Sequence, residues 1–215
     1  MRDIQIGRPF LSLLKATAGI PGPSVMIPVG SPTSAFLRPV ATKRELLNAA
    51  DVRVLTDWRN RFVQAFLTEF IATESRTAQW LVEAVGPNEG KILFMVDDPN
   101  GRTFGYMGLD YIDWDLSYGE VDAVVRGAEV APGTMRCALQ TMLAWAQGQL
   151  GLSKLGVRVR SDNTALEFYR KVGYQEMFRV PLRSVKEPRM IRWVEDPSIK
   201  TSETYLVHMV WERED

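Results

Sequence analysis

The chain has 215 residues, 46% of them hydrophobic, enough to bury a full core and most simply read as one domain with extensions. Its 26 basic and 26 acidic residues cancel, so the overall charge points to neither a nucleic-acid nor an anionic-membrane partner. A single cysteine, Cys137, and a single histidine, His208, exclude an internal disulfide framework and leave too few soft ligands for a typical structural zinc site.

No apolar run approaches the roughly 20 residues that span a bilayer. Met1-Arg-Asp-Ile also lacks the basic-then-apolar order of a secretory signal, so a soluble protein in a reducing, cytoplasmic setting is expected.

Residues 1–35 read as a Pro/Gly-rich N-terminal arm. Within it, residues 19–35 resist regular structure, while Phe10, Leu11, Leu13 and Leu14 offer an apolar face for packing. Phe36-Leu-Arg-Pro reads as a short strand. Helical spacing then runs from Thr42 to about Ala84, with Asp51, Thr56 and Thr77 as candidate caps. Two strands, Lys91–Asp97 and Thr103–Ile112, flank Asp98-Pro-Asn-Gly-Arg102, a turn signal that predicts a β-hairpin. A third strand, Glu120–Arg126, leads to a helix starting near Gly133, in which Met135, Ala138, Leu139, Met142 and Ala146 recur at helical spacing.

Gly151 ends that helix. Strand Lys154–Arg160 follows, then a helix capped by Asp162 or Asn163 and stopped by Gly173. Two strand–helix units feeding one sheet imply parallel pairing beside the antiparallel hairpin, a mixed α/β arrangement. Residues 183–215 read as a C-terminal extension whose alternating Glu203–Glu212 segment forms a final strand completing the sheet. His208 in that strand is expected to be structural, and Cys137 to be a small buried hydrophobe within its helix.

Two segments carry a family likeness. Val130-Ala-Pro-Gly133-Thr134-Met135-Arg136 precedes, at the right distance, Asn163-Thr-Ala165-Leu-Glu-Phe168-Tyr169-Arg-Lys171-Val-Gly173-Tyr174. The pair resembles the acyl-CoA-binding half of the GNAT superfamily of N-acetyltransferases, over residues 103–178. Val130 stands where that family has Gln or Arg, and Met135 where it has a small residue, so only the first glycine of its loop is retained. The resemblance implies an α/β (α+β) fold over residues 36–182: a mixed, mostly antiparallel central sheet, one parallel strand pair splayed around the acyl-CoA site, and helices on both faces. It further implies acetyl-CoA as acyl donor and a small-molecule amine as second substrate; composition and charge add the expectation of no metal and of neither nucleic acid nor membrane as partner.

The same resemblance assigns roles. Amides of Gly133, Thr134, Met135 and Arg136 would hold the CoA pyrophosphate at a helix N-terminus. Asn163 would bond the pantetheine arm or cap its own helix, and Phe168 belongs to the same cofactor-binding segment. Tyr169 is the candidate general acid for the leaving thiolate. Backbone N–H groups near Val124 and Val125 would polarise the thioester carbonyl. Glu120 and Asp122, two apart on one strand, face the same way and could raise one another's pKa as proton acceptors. A solvated strand face, amine-binding carboxylates, or deprotonation through water are the alternatives left open.

For the acceptor, Asp57-Trp58-Arg59-Asn60 with Thr77-Ala-Gln-Trp80 resembles a signature of the branch that includes amino-sugar acetyltransferases of nonulosonic acid biosynthesis. It also occurs near ribosomal-protein N-terminal acetyltransferases. Arg59, Arg61 and Trp80 would then hold a nucleotide's phosphates and stack its base; a helix pair with an aromatic anchor is the other reading. Tyr111 and Trp114, with Asp110, Asp113 and Asp115, would sit at the acceptor mouth or form a plain surface turn. The expectation is an acetyl-CoA-dependent N-acyltransferase acting by direct transfer on a nucleotide-linked amino sugar. A polyamine or protein amine is the alternative acceptor, and a non-catalytic binding module the alternative class. The apolar N-terminal face and last strand would suit a homodimer.

Overall fold

A computed structural model describes residues 4–22 and 25–211. Met1, Arg2 and Asp3 of the signal reading and the N-terminal arm, Pro23 and Ser24 of that arm, and Glu212 of the last strand lie outside the described residues. Helix α1 (Ile4–Thr17) is followed by β1 (Ile27–Val29), β2 (Ala35–Pro39), α2 (Ala49–Arg61), β3 (Thr68–Glu69) and α3 (Glu74–Trp80). Then come β4 (Ile92–Asp97), β5 (Thr103–Asp113), β6 (Tyr118–Arg126), α4 (Thr134–Leu150), β7 (Lys154–Arg160), α5 (Ala165–Val172), β8 (Tyr174–Glu187), β9 (Met190–Glu195) and β10 (Tyr205–Trp211).

The strands form one sheet in the order β1-β2-β4-β5-β6-β7-β10-β8-β9-β3. Its pairs are antiparallel except β6 with β7, which run parallel over Tyr118–Val121 against Lys154–Val157. Beyond Val121 the two strands part, because the β6–β7 register ends there while both continue. The second strand–helix unit, β7–α5–β8, does not give a further parallel neighbour. Strand β10 inserts between β7 and β8 and is antiparallel to both. The fold is therefore mixed α/β with a mostly antiparallel sheet and one splayed parallel pair.

Helices cover both faces, and β4 explains how. All six of its residues are buried, so alternate side chains feed two cores. Phe94 and Val96 join the layer of α1, α4 and α5, whereas Leu93 and Met95 join the layer of α2 and α3. In the first layer α1 docks on α4: Leu11 and Leu14 are buried, Phe10 lies 6.4 Å from Trp145, and Leu13 points outward. The segment read as an arm thus contributes a core helix and an edge strand, β1, paired to β2.

The cap assignments shift for physical reasons. Asn48, not Asp51, caps α2 by accepting the amides of Ala50 and Asp51. Asp51 is drawn instead to Arg38 on β2, at 2.8 Å. Thr73 caps α3, while Thr77 sits inside that helix and accepts the Thr56 hydroxyl at 2.7 Å. Asn163 does cap α5, accepting Ala165 N–H at 2.9 Å, whereas Asp162 pairs with Arg160.

Candidate active site

Where β6 leaves β7, β6 also loses register with β5. Tyr106 lies opposite Val125 and Gly108 opposite Asp122, so Met107 alone faces both Ala123 and Val124. Ala123 takes φ 55°, a left-handed conformation uncommon for a residue with a side chain and typical of a β-bulge. Neither flanking strand therefore pairs with Ala123 or Val124. This places the out-of-register Ala123–Val124 backbone at the base of the cleft.

Three cavities meet around that bulge. The first, about 490 Å³, lies between β6, β7 and the start of α5; Tyr169, Asn163 and Tyr111 line it together with Glu120, Asp122 and Val124. It continues past Val124, Arg126 and Tyr169 into a groove of about 710 Å³ at the N-terminus of α4, which Gly133, Met135, Arg136 and Phe168 line. On the opposite side of the bulge a cavity of about 390 Å³ shares Phe66, Thr68, Lys91, Asp122 and Ala123 with the first and adds Arg59, Arg76 and Trp80.

The α4 groove is built from backbone. Gly133 precedes the helix at φ 87°, which glycine adopts without strain, and of the first-turn amides those of Met135 and Arg136 precede the first intrahelical bond, from Cys137 to Gly133 O. Together with the helix dipole they suit an anionic group, and Arg126, Arg136 and Lys171 add positive charge along the groove. Met135 turns inward: its side chain is buried against Gly105, so its size does not fill the groove mouth. Thr134 contributes differently, since its amide and hydroxyl both bond Ala131 O.

The family description "Acetyltransferase (GNAT) domain" matches residues 36–175. The chain belongs to the GNAT family. No curated protein matches the sequence. Among solved structures, spermidine N-acetyltransferase from Vibrio cholerae in complex with CoA and spermine has a TM-score of 0.63 at 17% identity, covering 82% of this chain and 94% of that one. A chimera of that enzyme with hSSAT reaches 0.64 at 16% identity, over 84% and 96% of the two chains. A probable GNAT acetyltransferase from Chromobacterium violaceum reaches 0.64 at 16% identity, over 90% and 89%. These likenesses establish the shared fold.

Within this GNAT frame Tyr169 is buried and lines both the first cavity and the α4 groove. It packs edge-on to Tyr174 and Phe168, each at 5.6 Å. Burial, helped by the charge of Asp122, pushes its phenol above the ordinary value of 10.0 and keeps it protonated. Asn163 lines the first cavity with its amide engaged, Nδ2 donating to Ala65 O at 3.1 Å.

The two strand carboxylates are not free partners of one another. Glu120 accepts from Tyr118 Oη at 2.8 Å and Arg158 Nε at 2.7 Å and is largely buried. Asp122 is 44% exposed and shares Lys91 with Asp110. Glu120 thus has Arg158 as its cation, whereas Asp122 and Asp110 share one ammonium. Burial works against the Lys91 ammonium, but Asp122 and Asp110 hold its pKa above the ordinary lysine value. Of the two carboxylates, Asp122 is the one that lines both cavities.

The predicted acceptor residues separate. Arg59 and Trp80 line the 390 Å³ cavity. Trp58 is buried instead, stacked on Tyr106 at 6.2 Å and pressed against Gly127 so closely that any Cβ there would meet its ring. Asn60 clamps the backbone of Ala72 through both amide atoms, and Arg61 donates to Gly127 O at 2.7 Å. None of these three lines either central cavity. Tyr111 is exposed at the mouth of the first cavity with Arg158 over its ring at 4.6 Å. The acidic turn is local: Asp113 accepts the amides of Asp115 and Leu116.

His208 on β10 bonds Glu195 and stacks on Phe178 at 4.3 Å, a structural role. Cys137 is half-buried on α4. Among the described residues no group of three or more His, Cys, Asp or Glu is arranged to hold a metal ion, and no helix is long and apolar enough to cross a membrane. Sequence reasoning missed Ala123, Phe66, Phe70 and Arg76. The Trp-Arg-Asn run and Trp80 hinted at that wall.

Proposed function

We propose that this GNAT protein transfers the acetyl group of acetyl-CoA directly to a primary amine bound across the β6 bulge. The observation that carries the reading is the junction itself: an anion-suited groove ends at Tyr169 and Val124, and an independent cavity opens from the other side of Ala123. Acetyl-CoA supplies the acyl group as an activated thioester. The out-of-register Ala123–Val124 backbone is the proposed donor to the carbonyl oxygen where negative charge develops. Val125, back in register with Tyr106, is less free for that role. Tyr169, held protonated, is the proposed donor to the departing sulfur. Asp122 is the proposed anchor for the amine, taking its proton directly or through water, while Glu120 fixes Arg158 and Tyr118.

The acceptor we favour is an amine on a molecule that also carries negative charge, such as a nucleotide-linked amino sugar. Arg59 and Trp80 face its cavity, and the carboxylates lining the two central cavities are already engaged, Glu120 with Arg158 and both Asp110 and Asp122 with Lys91. A polyamine is the second reading, supported by structural neighbours named for spermidine acetylation. Initial velocities of thiol release, measured against both substrates, test the proposal. Intersecting double-reciprocal lines are expected, and parallel lines would contradict direct transfer. Faster acetylation of nucleotide-linked amino sugars than of spermidine or peptide amines is expected; the reverse order would transfer the assignment to the competing acceptor. No thiol release with any amine would favour a binding module.

A further inference from the structure

The wall of the 390 Å³ cavity holds a stack that the transfer chemistry does not use. The Arg59 guanidinium lies over the Phe66 ring at 3.8 Å and over Phe70 at 4.7 Å, and Arg76 lies over Phe70 at 4.5 Å. Phe70 is thereby flanked by two guanidinium groups. Neither is within ion-pair distance of a carboxylate among the described residues. Arg59 bonds the carbonyl and hydroxyl of Thr68 through Nη2, and Arg76 reaches only Ile71 O at 3.3 Å. Arg59 Nη1 is buried with no partner at all among the described residues, an uncompensated donor of the kind native structures rarely leave unmade.

Charge makes the point sharper. The cavity is lined by three cations, Arg59, Arg76 and Lys91, and one anion, Asp122. Lys91 is paired with both Asp110 and Asp122, which leaves Arg59 and Arg76 as the cations of this cavity with no carboxylate at ion-pair distance among the described residues. Burial lowers the Arg59 pKa, with Tyr106, Asp122 and Glu69 opposing, but a guanidinium remains charged. Two planar guanidiniums held by aromatic rings match the geometry of an oxyanion and would repel a second ammonium group.

We infer that Arg59 and Arg76, braced by Phe70, form an oxyanion subsite that reads a phosphoryl or carboxylate group on the amine acceptor. The inference rests on the acceptor assignment above for its biological meaning, not for its chemistry. The amine lies toward Asp122 and the oxyanion toward Phe70, so the acceptor spans the cavity with opposite charges at its two ends.

The test is titration calorimetry on protein saturated with CoA, which occupies the α4 groove, using inorganic pyrophosphate, succinate and spermidine as probes. Pyrophosphate or succinate is expected to bind and spermidine not to bind; the tighter of the two anions names the oxyanion. Arg76 is exposed, so Arg76→Gln should fold, and it should weaken anion binding about tenfold, with Arg76→Lys recovering part of the loss. Anion binding unchanged in Arg76→Gln, or no anion binding at all, would overturn the subsite. Should CoA itself fail to bind, dependence on Arg76 still decides the question. These titrations need no turnover, so absence of acetyl transfer to every amine would strike the proposed function alone.

Discussion

The two sides of the β6 bulge are built by different means. The α4 side, from β6 through α5, takes its shape from backbone: a left-handed Gly133, a helix N-terminus and a strand that leaves its neighbour. The acceptor side takes its shape from side chains that reach across the chain. Asn60 clamps Ala72, Arg59 donates to the Thr68 hydroxyl at 3.0 Å and lies over Phe66 and Phe70, and Thr56 donates to Thr77 at 2.7 Å. Backbone sites tolerate side-chain drift, as Val130 and Met135 show. Side-chain sites are free to change with the ligand, which is where substrate choice is expected to reside.

Five experiments put that contrast at risk. The largest effect is expected from Trp58→Ala, which empties a buried site between Tyr106 and Gly127. Denaturant unfolding should show a loss of about 3–5 kcal/mol; a stable variant with a raised acceptor KM would instead return Trp58 to ligand binding. Next is Tyr169→Phe, for which kcat should fall about 100-fold with acetyl-CoA affinity unchanged. Unchanged turnover would reject Tyr169 as the acid.

A smaller effect is expected from Gly133→Val. A Cβ at Gly133 meets no atom within 4 Å, so the damage comes from forcing a branched residue to φ 87°. Strain of about 1–3 kcal/mol should move the first turn of α4 and raise the acetyl-CoA KM about tenfold while the acceptor KM stays put. An equal rise in both constants would mean that the two sides are not separable.

The smallest change concerns Glu120 and pH. Glu120→Gln should alter kcat less than fivefold, about 1 kcal/mol, because that carboxylate is already committed to Arg158 and Tyr118; a collapse of kcat would restore it as the base. Since Tyr169 titrates above its ordinary value of 10.0, its acid form persists through alkaline pH. The pH–rate profile should therefore show no descending limb from Tyr169 below about pH 10. A limb near pH 8 that vanishes in Tyr169→Phe would contradict this.

The contrast also explains what could be read from sequence. Strand Lys154–Arg160, the Asp98–Arg102 turn and the glycines bracketing α4 and α5 rest on local preferences, and all stand where expected. Helix α2 was legible as a helix, but its cap was not, because Asp51 answers to Arg38 across 13 residues rather than to its own backbone. The bulge was hidden because Ala123 carries no glycine to announce a positive φ. Strand β9 and its pairing with β3 depend on partners more than 100 residues apart, a contact no periodicity encodes. Arg59 lines the 390 Å³ cavity, whereas Trp58, Asn60 and Arg61 beside it make intramolecular contacts that only the fold reveals.

The most direct test of the central claim, that the α4 groove and the β6–β7 cleft seat the acyl donor, is calorimetric titration of the protein with acetyl-CoA. Binding in the micromolar range, weakened by Gly133→Val and left intact by Tyr169→Phe and Arg76→Gln, is the expected result. No detectable heat up to millimolar acetyl-CoA would contradict it.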